Sequence, residues 1–322
     1  MRVSLFQEIR DASRAVAERA DFVRIDHAVL KKYALALPDA ETAAPTLDAS
    51  QHFLDHGADT AAFFVTLDTV NFGSGWFPHL KKRPGLSGYF TVASALTDLF
   101  RAEGPLTPAR LVRLNGAECA RIFRQDPGNA IAYELMERFA TALNDLGRLL
   151  IDSYRGSFTS LIESAGNSAE RLVRLLSAMP FFDDVAECRG NRVPFYKRAQ
   201  LTAADLARAF DRQGWGRFDD LGDLTIFADN LVPHVLRIDG VLRYDPHLAE
   251  RIDHEELIPA GSSEEIEIRA GALHAVELMV AELRGAGRPA TAMSIDFLLW
   301  NRGQSPQYKL AKPRHRTRSV FY

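Results

Sequence analysis

The sequence predicts a mainly α fold, built as two helical lobes with few short strands. Two observations lead there. Segment after segment sets apolar residues at helical spacing between recognisable start and stop signals. Stretches that read as strand are few. At 322 residues the chain exceeds one average domain without being clearly two, which suits two intimate lobes.

The first helical segment is "SLFQEIRDASRAVAERA", residues 4–20, and "DHAVLKKYALAL", residues 26–37, is the second. "NAIAYELMERFATALNDLGRLLIDSY", residues 129–154, predicts one long helix, and "NSAERLVRLLSAMP" another, closed by Pro180. In "LTAADLARAFDRQGWG" Thr202 is expected as the cap, with Asp205 in the first turn and Gly214 after the end. "LTIFA", residues 224–228, and "VLRIDGVLRY", residues 235–244, are the strand candidates, the second as a hairpin around Asp239 and Gly240. "YDPHLAERID" returns to helix. In "SSEEIEIRAGALHAVELMVAELRGAG", Ser262 and Glu265 make a capping box. Ile266, Leu273, Val276, Val280 and Leu283 then keep helical spacing until Gly285. "NFGSGWFPHLKKRPGLSG" and "CRGNRVPFYKRAQ" read as loops. Their mixture of glycine or proline with aromatics and cations suits loops that line a site.

Composition narrows the function classes. With 47% apolar and 25% charged residues the chain fits a globular protein able to form its own core. A net charge of −3 argues against a protein whose main work is gripping a phosphate backbone. Cys119 and Cys188 make neither a disulfide framework nor a thiolate metal site. The first 20 residues are charged and amphipathic, unlike a secretory signal, and no run approaches the roughly 20 apolar residues of a membrane helix. A cytoplasmic protein without membrane contact is expected.

The candidate chemistry centres on two carboxylates in apolar runs. Asp229 lies in "LTIFADNLVPHVLR". A buried carboxylate is costly unless paired. It can cap the following segment, pair with Arg237, or meet a ligand. Asp296 lies in "ATAMSIDFLLWNRGQ". If that run is a helix, Asp296 and Trp300 share a face, either as core and cap or as a lining for an aromatic ligand. "VPFYKRAQ" groups Phe195, Tyr196, Lys197 and Arg198, which suits a ring and a phosphate and equally a solvated basic turn. His52 and His56 in "HFLDH" have metal-site spacing, but no third ligand is evident nearby, so no metal is expected. The dinucleotide, P-loop and nucleophile-elbow signatures are absent. The basic tail "KPRHRTRSVFY" can touch nucleic acid, yet its final "VFY" favours an apolar anchor.

"NFGSGW", "PFYKRAQ", "LTIFADNLVP", "IDFLLWN" and "HRTRSVFY", in that order along the chain, resemble the queuosine salvage protein family. The resemblance implies a single domain over residues 1–322, similar to helix-hairpin-helix DNA glycosylases but without their DNA-gripping surface. The active site would lie between its two lobes. It implies an N-glycosidase that takes queuosine 5′-phosphate to queuine and ribose 5-phosphate, with no cofactor and no direct DNA binding. Such a ribosyl transfer develops positive charge on the sugar, which a carboxylate stabilises. By analogy with the late catalytic aspartate of those glycosylases, Asp296 is assigned to the ribose and Asp229, beside Phe227, to the base. The resemblance adds His52, Phe297 and Asn301 as base contacts and Lys197 as a phosphate contact. The two carboxylates are expected to face one cavity with an aromatic wall. The competing expectation is a non-enzymatic helical module that binds tRNA or a modified nucleoside.

Overall fold

The computed structural model describes residues 3–39 and 47–322. The protein is 58% helical with only short strands, in line with the mainly α expectation. In chain order the elements are α1 (Leu5–Ala17), β1 (Val23–Ile25), α2 (His27–Ala36), α3 (Ala58–Thr69), α4 (Gly88–Glu103), α5 (Pro108–Leu111) and α6 (Gly116–Ile122). There follow α7 (Ala130–Tyr154), α8 (Phe158–Glu163), α9 (Ala169–Leu176), β2 (Val185–Cys188), β3 (Asn191–Pro194) and α10 (Lys197–Ala209). The last are α11 (Leu231–Ile238), β4 (Leu242–Tyr244), α12 (Pro246–Asp253), α13 (Ser263–Gly285), α14 (Ala292–Gly303) and α15 (Pro306–Ala311). Among the described residues no helix is long and apolar enough to cross a membrane.

The chain divides into two compact units. The first takes Met1–Pro45, Asp184–Lys197 and Gly222–Arg318, and the second Thr46–Asp183, Arg198–Leu221 and Ser319–Tyr322. In the first unit α13 is the central element. Its five periodic apolar residues, Ile266 through Leu283, are all buried. Helix α1 packs along it, with Leu5, Phe6 and Ile9 buried. Glu267 of α13 is itself buried and accepts the N–H groups of Asp21, Phe22 and Val23. It thereby satisfies the backbone leading into β1, which pairs antiparallel with β4. Helices α11 and α14 approach closely at Gly303, where a Cβ would stand 2.6 Å from Leu231 Cδ1.

In the second unit α3 is buried on every side from Thr60 to Thr69, with only its first two residues, Ala58 and Asp59, exposed. The long α7 starts at an Asn129 cap and presents one buried face. Arg198, 1% exposed, lies between the rings of Phe72 and Phe182. Its guanidinium donates to the carbonyls of Asp68, Thr69, Phe181 and Val320. With both terminal nitrogens on backbone carbonyls Arg198 is a structural clamp, so the phosphate-seeking reading of "KR" does not extend to it. The tail packs down in the same unit: Tyr322 is buried and its carbonyl accepts the Gly73 N–H.

Several local expectations are corrected. Thr202 is not a cap. Helix α10 begins five residues earlier, and Thr202 Oγ1 donates to the Arg198 carbonyl inside it. Residues 224–228 form no strand. The expected hairpin at 235–244 is instead the end of α11 followed by β4, whose partner is β1. A hairpin does occur where a loop was expected. Strands β2 and β3 turn through Arg189 and Gly190, both at positive φ. At α13 the Ser262 side chain accepts the Glu265 N–H, but the Glu265 carboxylate takes the Gly261 N–H, so the box is not reciprocal.

Candidate active site

The first unit gathers most of the residues singled out in the sequence. Lys197 opens α10 directly after the β2–β3 hairpin. The turn before it is unusual: Tyr196 has φ 48, a left-handed conformation that a bulky side chain adopts only when its surroundings enforce it. The enforcing group is Asp184. Its carbonyl accepts both the Phe195 and Tyr196 N–H groups, and its carboxylate Oδ2 accepts the Lys197 N–H at 3.0 Å.

Asp184 is held in turn by Arg269 of α13. The guanidinium forks onto both carboxylate oxygens, at 2.9 and 2.7 Å, and both residues are 2% exposed. Arg269 lies over the Phe195 ring, and its Nε donates to the Ala228 carbonyl at 3.0 Å. One buried ion pair therefore fixes two segments, the start of α10 at Lys197 and the loop carrying Phe227 and Asp229. That loop explains the failed strand reading. Its backbone is satisfied by side chains rather than by a neighbouring strand: Arg269 takes the Ala228 carbonyl, and Asp296 takes the Phe227 N–H.

Asp296 is 2% exposed on α14. Its Oδ1 accepts the Phe227 N–H at 3.0 Å, while Oδ2 takes no hydrogen bond from the described residues. Burial pushes its carboxyl up to about 8, and the negative charge of Asp229 pushes the same way. The Phe227 N–H and the Lys197 ammonium pull it down. Asp229 repeats the pattern. Its Oδ1 accepts the Leu231 and Val232 N–H groups, capping α11, and its Oδ2 takes no hydrogen bond from the described residues. The capping role foreseen for Asp229 is real. The pairing with Arg237 is not, because Arg237 meets Asp253 at 2.7 Å. The Phe227 and Phe297 rings stand 5.6 Å apart, tilted, next to these carboxylates in sequence. Trp300 is half-buried one turn beyond Asp296, and Asn301, also half-buried, makes no side-chain hydrogen bond with the described residues.

The structure thus brings Asp296, Asp229, Lys197, Phe227 and Phe297 together in one unit. His52 belongs to the other unit. It is buried, and both ring nitrogens are engaged, Nδ1 with the Asp48 carbonyl and Nε2 with the Tyr89 hydroxyl, each at 3.1 Å. A carbonyl can only accept, so Nδ1 carries the proton and Nε2 accepts from Tyr89. His56 stacks on Phe53. Among the described residues no group of three or more His, Cys, Asp or Glu is placed to hold a metal ion.

Sequence reading missed Asp184 and Arg269. Their partners lie 85 positions apart, and no local pattern announces the pairing. It also left Arg314 inside an undifferentiated basic tail.

An enzyme class with paired carboxylates beside an aromatic pair fits such a site, and the comparisons with known proteins narrow it. The family described as queuosine salvage protein matches residues 51–322, and the chain belongs to that family. A protein of Sphaerobacter thermophilus named queuosine 5′-phosphate N-glycosylase/hydrolase is 39% identical over 96% of this chain and 96% of its own length. Relatives bearing the same name occur in Mus musculus, at 31% identity over 97% of this chain and 98% of theirs, and in Dictyostelium discoideum, at 35% over 82% and 78%.

Proposed function

We infer that this chain is an N-glycosidase that hydrolyses the glycosidic bond of queuosine 5′-phosphate and releases queuine for reuse in tRNA. Membership of the family and the activity named for its relatives support the reading. The structural observation that carries it is the repeated carboxylate design. Asp229 and Asp296 each have one oxygen fixed by backbone N–H, two for Asp229 and one for Asp296, while the other takes no hydrogen bond from the described residues, and the charge of one is felt by the other.

The chemistry requires this much. Water adds a hydroxyl at C1′ and the departing base takes up a proton. A purine would ease departure by protonation at N7, but in a 7-deaza base that atom is carbon. Catalysis then leans on stabilising the positive charge that develops on the ribose. Asp296 is the group for that task, its Oδ2 meeting the ribose. Asp229 accepts N–H donors of the base, with Phe227 and Phe297 as the aromatic wall of the shared cavity. Asn301, one turn beyond Phe297, supplies a further contact to the base. The direct assay incubates the chain with queuosine 5′-phosphate, and free queuine and ribose 5-phosphate are expected in equal amounts. Tight binding of tRNA with no release would favour the non-enzymatic module.

Asp229→Asn is expected to weaken nucleotide binding as well as rate, because an amide replaces an acceptor with a mixed group. Titration of the nucleotide against variant and parent checks it. Unchanged affinity would remove Asp229 from the base.

Lys197 contacts the 5′-phosphate. Losing a charge-assisted contact costs on the order of 1.5–3 kcal/mol, roughly a ten- to hundredfold fall in kcat/KM. In Lys197→Ala that loss should fall on queuosine 5′-phosphate rather than on queuosine. The ammonium also acts on Asp296. Equal damage to both substrates would mean that this second role dominates.

A further inference from the structure

The cation left unexplained is Arg314, in the basic tail. Residues 314–318 alternate in burial: His315 and Thr317 point inward, while Arg314, Arg316 and Arg318 lie on the half-buried side, as an extended segment with period two requires. The segment is tied beside the Asp229 turn. Asn230, next to Asp229, donates its Nδ2 to the His315 carbonyl at 3.3 Å. Arg316 is bridged to Leu257, and its carbonyl accepts the Ile258 N–H at 2.8 Å. The arginines differ in what they hold. Arg316 engages Glu255. No hydrogen bond or ion pair among the described residues engages the Arg314 guanidinium, although it is half-buried.

A guanidinium offers five donors in a rigid fork matched to a phosphate, and one that no protein acceptor engages keeps that fork available to a ligand. Asp229 supplies charge but no contact: burial lowers the Arg314 pKa, and the Asp229 carboxylate opposes that shift. A phosphate dianion calls for more than one cation. Lys197 already acts on Asp296, and Arg198 is locked onto carbonyls. We propose that Arg314 is a specificity-determining residue that grips the 5′-phosphate of the nucleotide and so makes the chain prefer queuosine 5′-phosphate to queuosine. The inference rests on the proposed N-glycosidase reading.

The test compares kcat/KM for queuosine 5′-phosphate and queuosine in the parent, Arg314→Ala, Arg314→Gln and Arg314→Lys, with inorganic phosphate as a competitive probe. The ratio of the two kcat/KM values is expected to fall roughly ten- to hundredfold in the alanine and glutamine variants. Lysine should restore part of it, keeping the charge without the fork. Inhibition by inorganic phosphate should weaken in parallel. Equal losses on both substrates would assign Arg314 to Asp229 and overturn the proposal, as would an unchanged ratio. Should the alanine variant fail to fold, the glutamine and lysine variants carry the same reading. A parent that releases no queuine overturns the function itself, whereas an active parent with an unchanged ratio in the variants overturns only the role of Arg314.

Discussion

Asp296→Asn is expected to lower turnover roughly a hundred- to thousandfold while queuosine 5′-phosphate still binds, because an amide keeps the shape but cannot oppose a ribosyl cation by charge. The pH profile sharpens the expectation. Burial and the Asp229 charge push the Asp296 carboxyl up to about 8, so in the free site it is largely protonated at neutral pH. If the carboxylate is the working form, kcat/KM rises with pH and levels off above about 8. Removing the Asp229 charge lowers the Asp296 pKa, so in Asp229→Asn the rise should move to lower pH. A profile that instead falls with pH would make Asp296 a proton donor. Stability runs the opposite way to activity. The folded state holds the Asp296 proton more tightly than the unfolded chain, where the carboxyl has its ordinary value of 3.8. The residue therefore destabilises the fold increasingly as pH rises between about 4 and 8. Asp296→Asn should be more stable than the parent at pH 8 and equal to it below pH 4.

Asp184→Ala should give the largest loss of stability, on the order of 3–5 kcal/mol, because it takes the forked carboxylate from the buried Arg269 guanidinium, whose other carboxylate neighbour, Glu265, is farther off at 3.7 Å. Urea unfolding measures it. The double variant Asp184→Leu with Arg269→Met removes both charges of the pair, leaves the Glu265 carboxylate on the Gly261 N–H, and should recover part of the stability. It should not recover activity. The pair fixes Lys197 through its N–H and the Asp229 loop through the Ala228 carbonyl, and an apolar replacement fixes neither. A double variant as active as the parent would show that the ion pair is only a packing element.

What the sequence disclosed follows from the range of the forces involved. Helices α1, α2, α7 and α13 were legible because apolar residues at helical spacing, and at α13 the Ser262 cap, are local signals. Helix α3 was not, since from Thr60 onward it is buried on every side and carries no period. "LTIFA" has strand composition, but its backbone partners are Asp296 and Arg269, 69 and 41 positions away. The start of α10 is likewise set by Asp184, 13 residues earlier, so the nearer Thr202 was mistaken for it. At the site, Asp229 and Asp296 could be picked out as carboxylates in apolar surroundings. Their supports could not, and neither could the difference between Arg198, which clamps carbonyls, and Arg314, which holds none among the described residues.

The most direct measurement is a crystal structure of the Asp296→Asn variant with intact queuosine 5′-phosphate. C1′ of the ribose should lie against the residue 296 side chain, the base against Asp229, Phe227 and Phe297, and the phosphate at Lys197. A nucleotide bound with its ribose away from residue 296, or with its base edge there and its sugar at Asp229, would contradict the assignment of the two carboxylates.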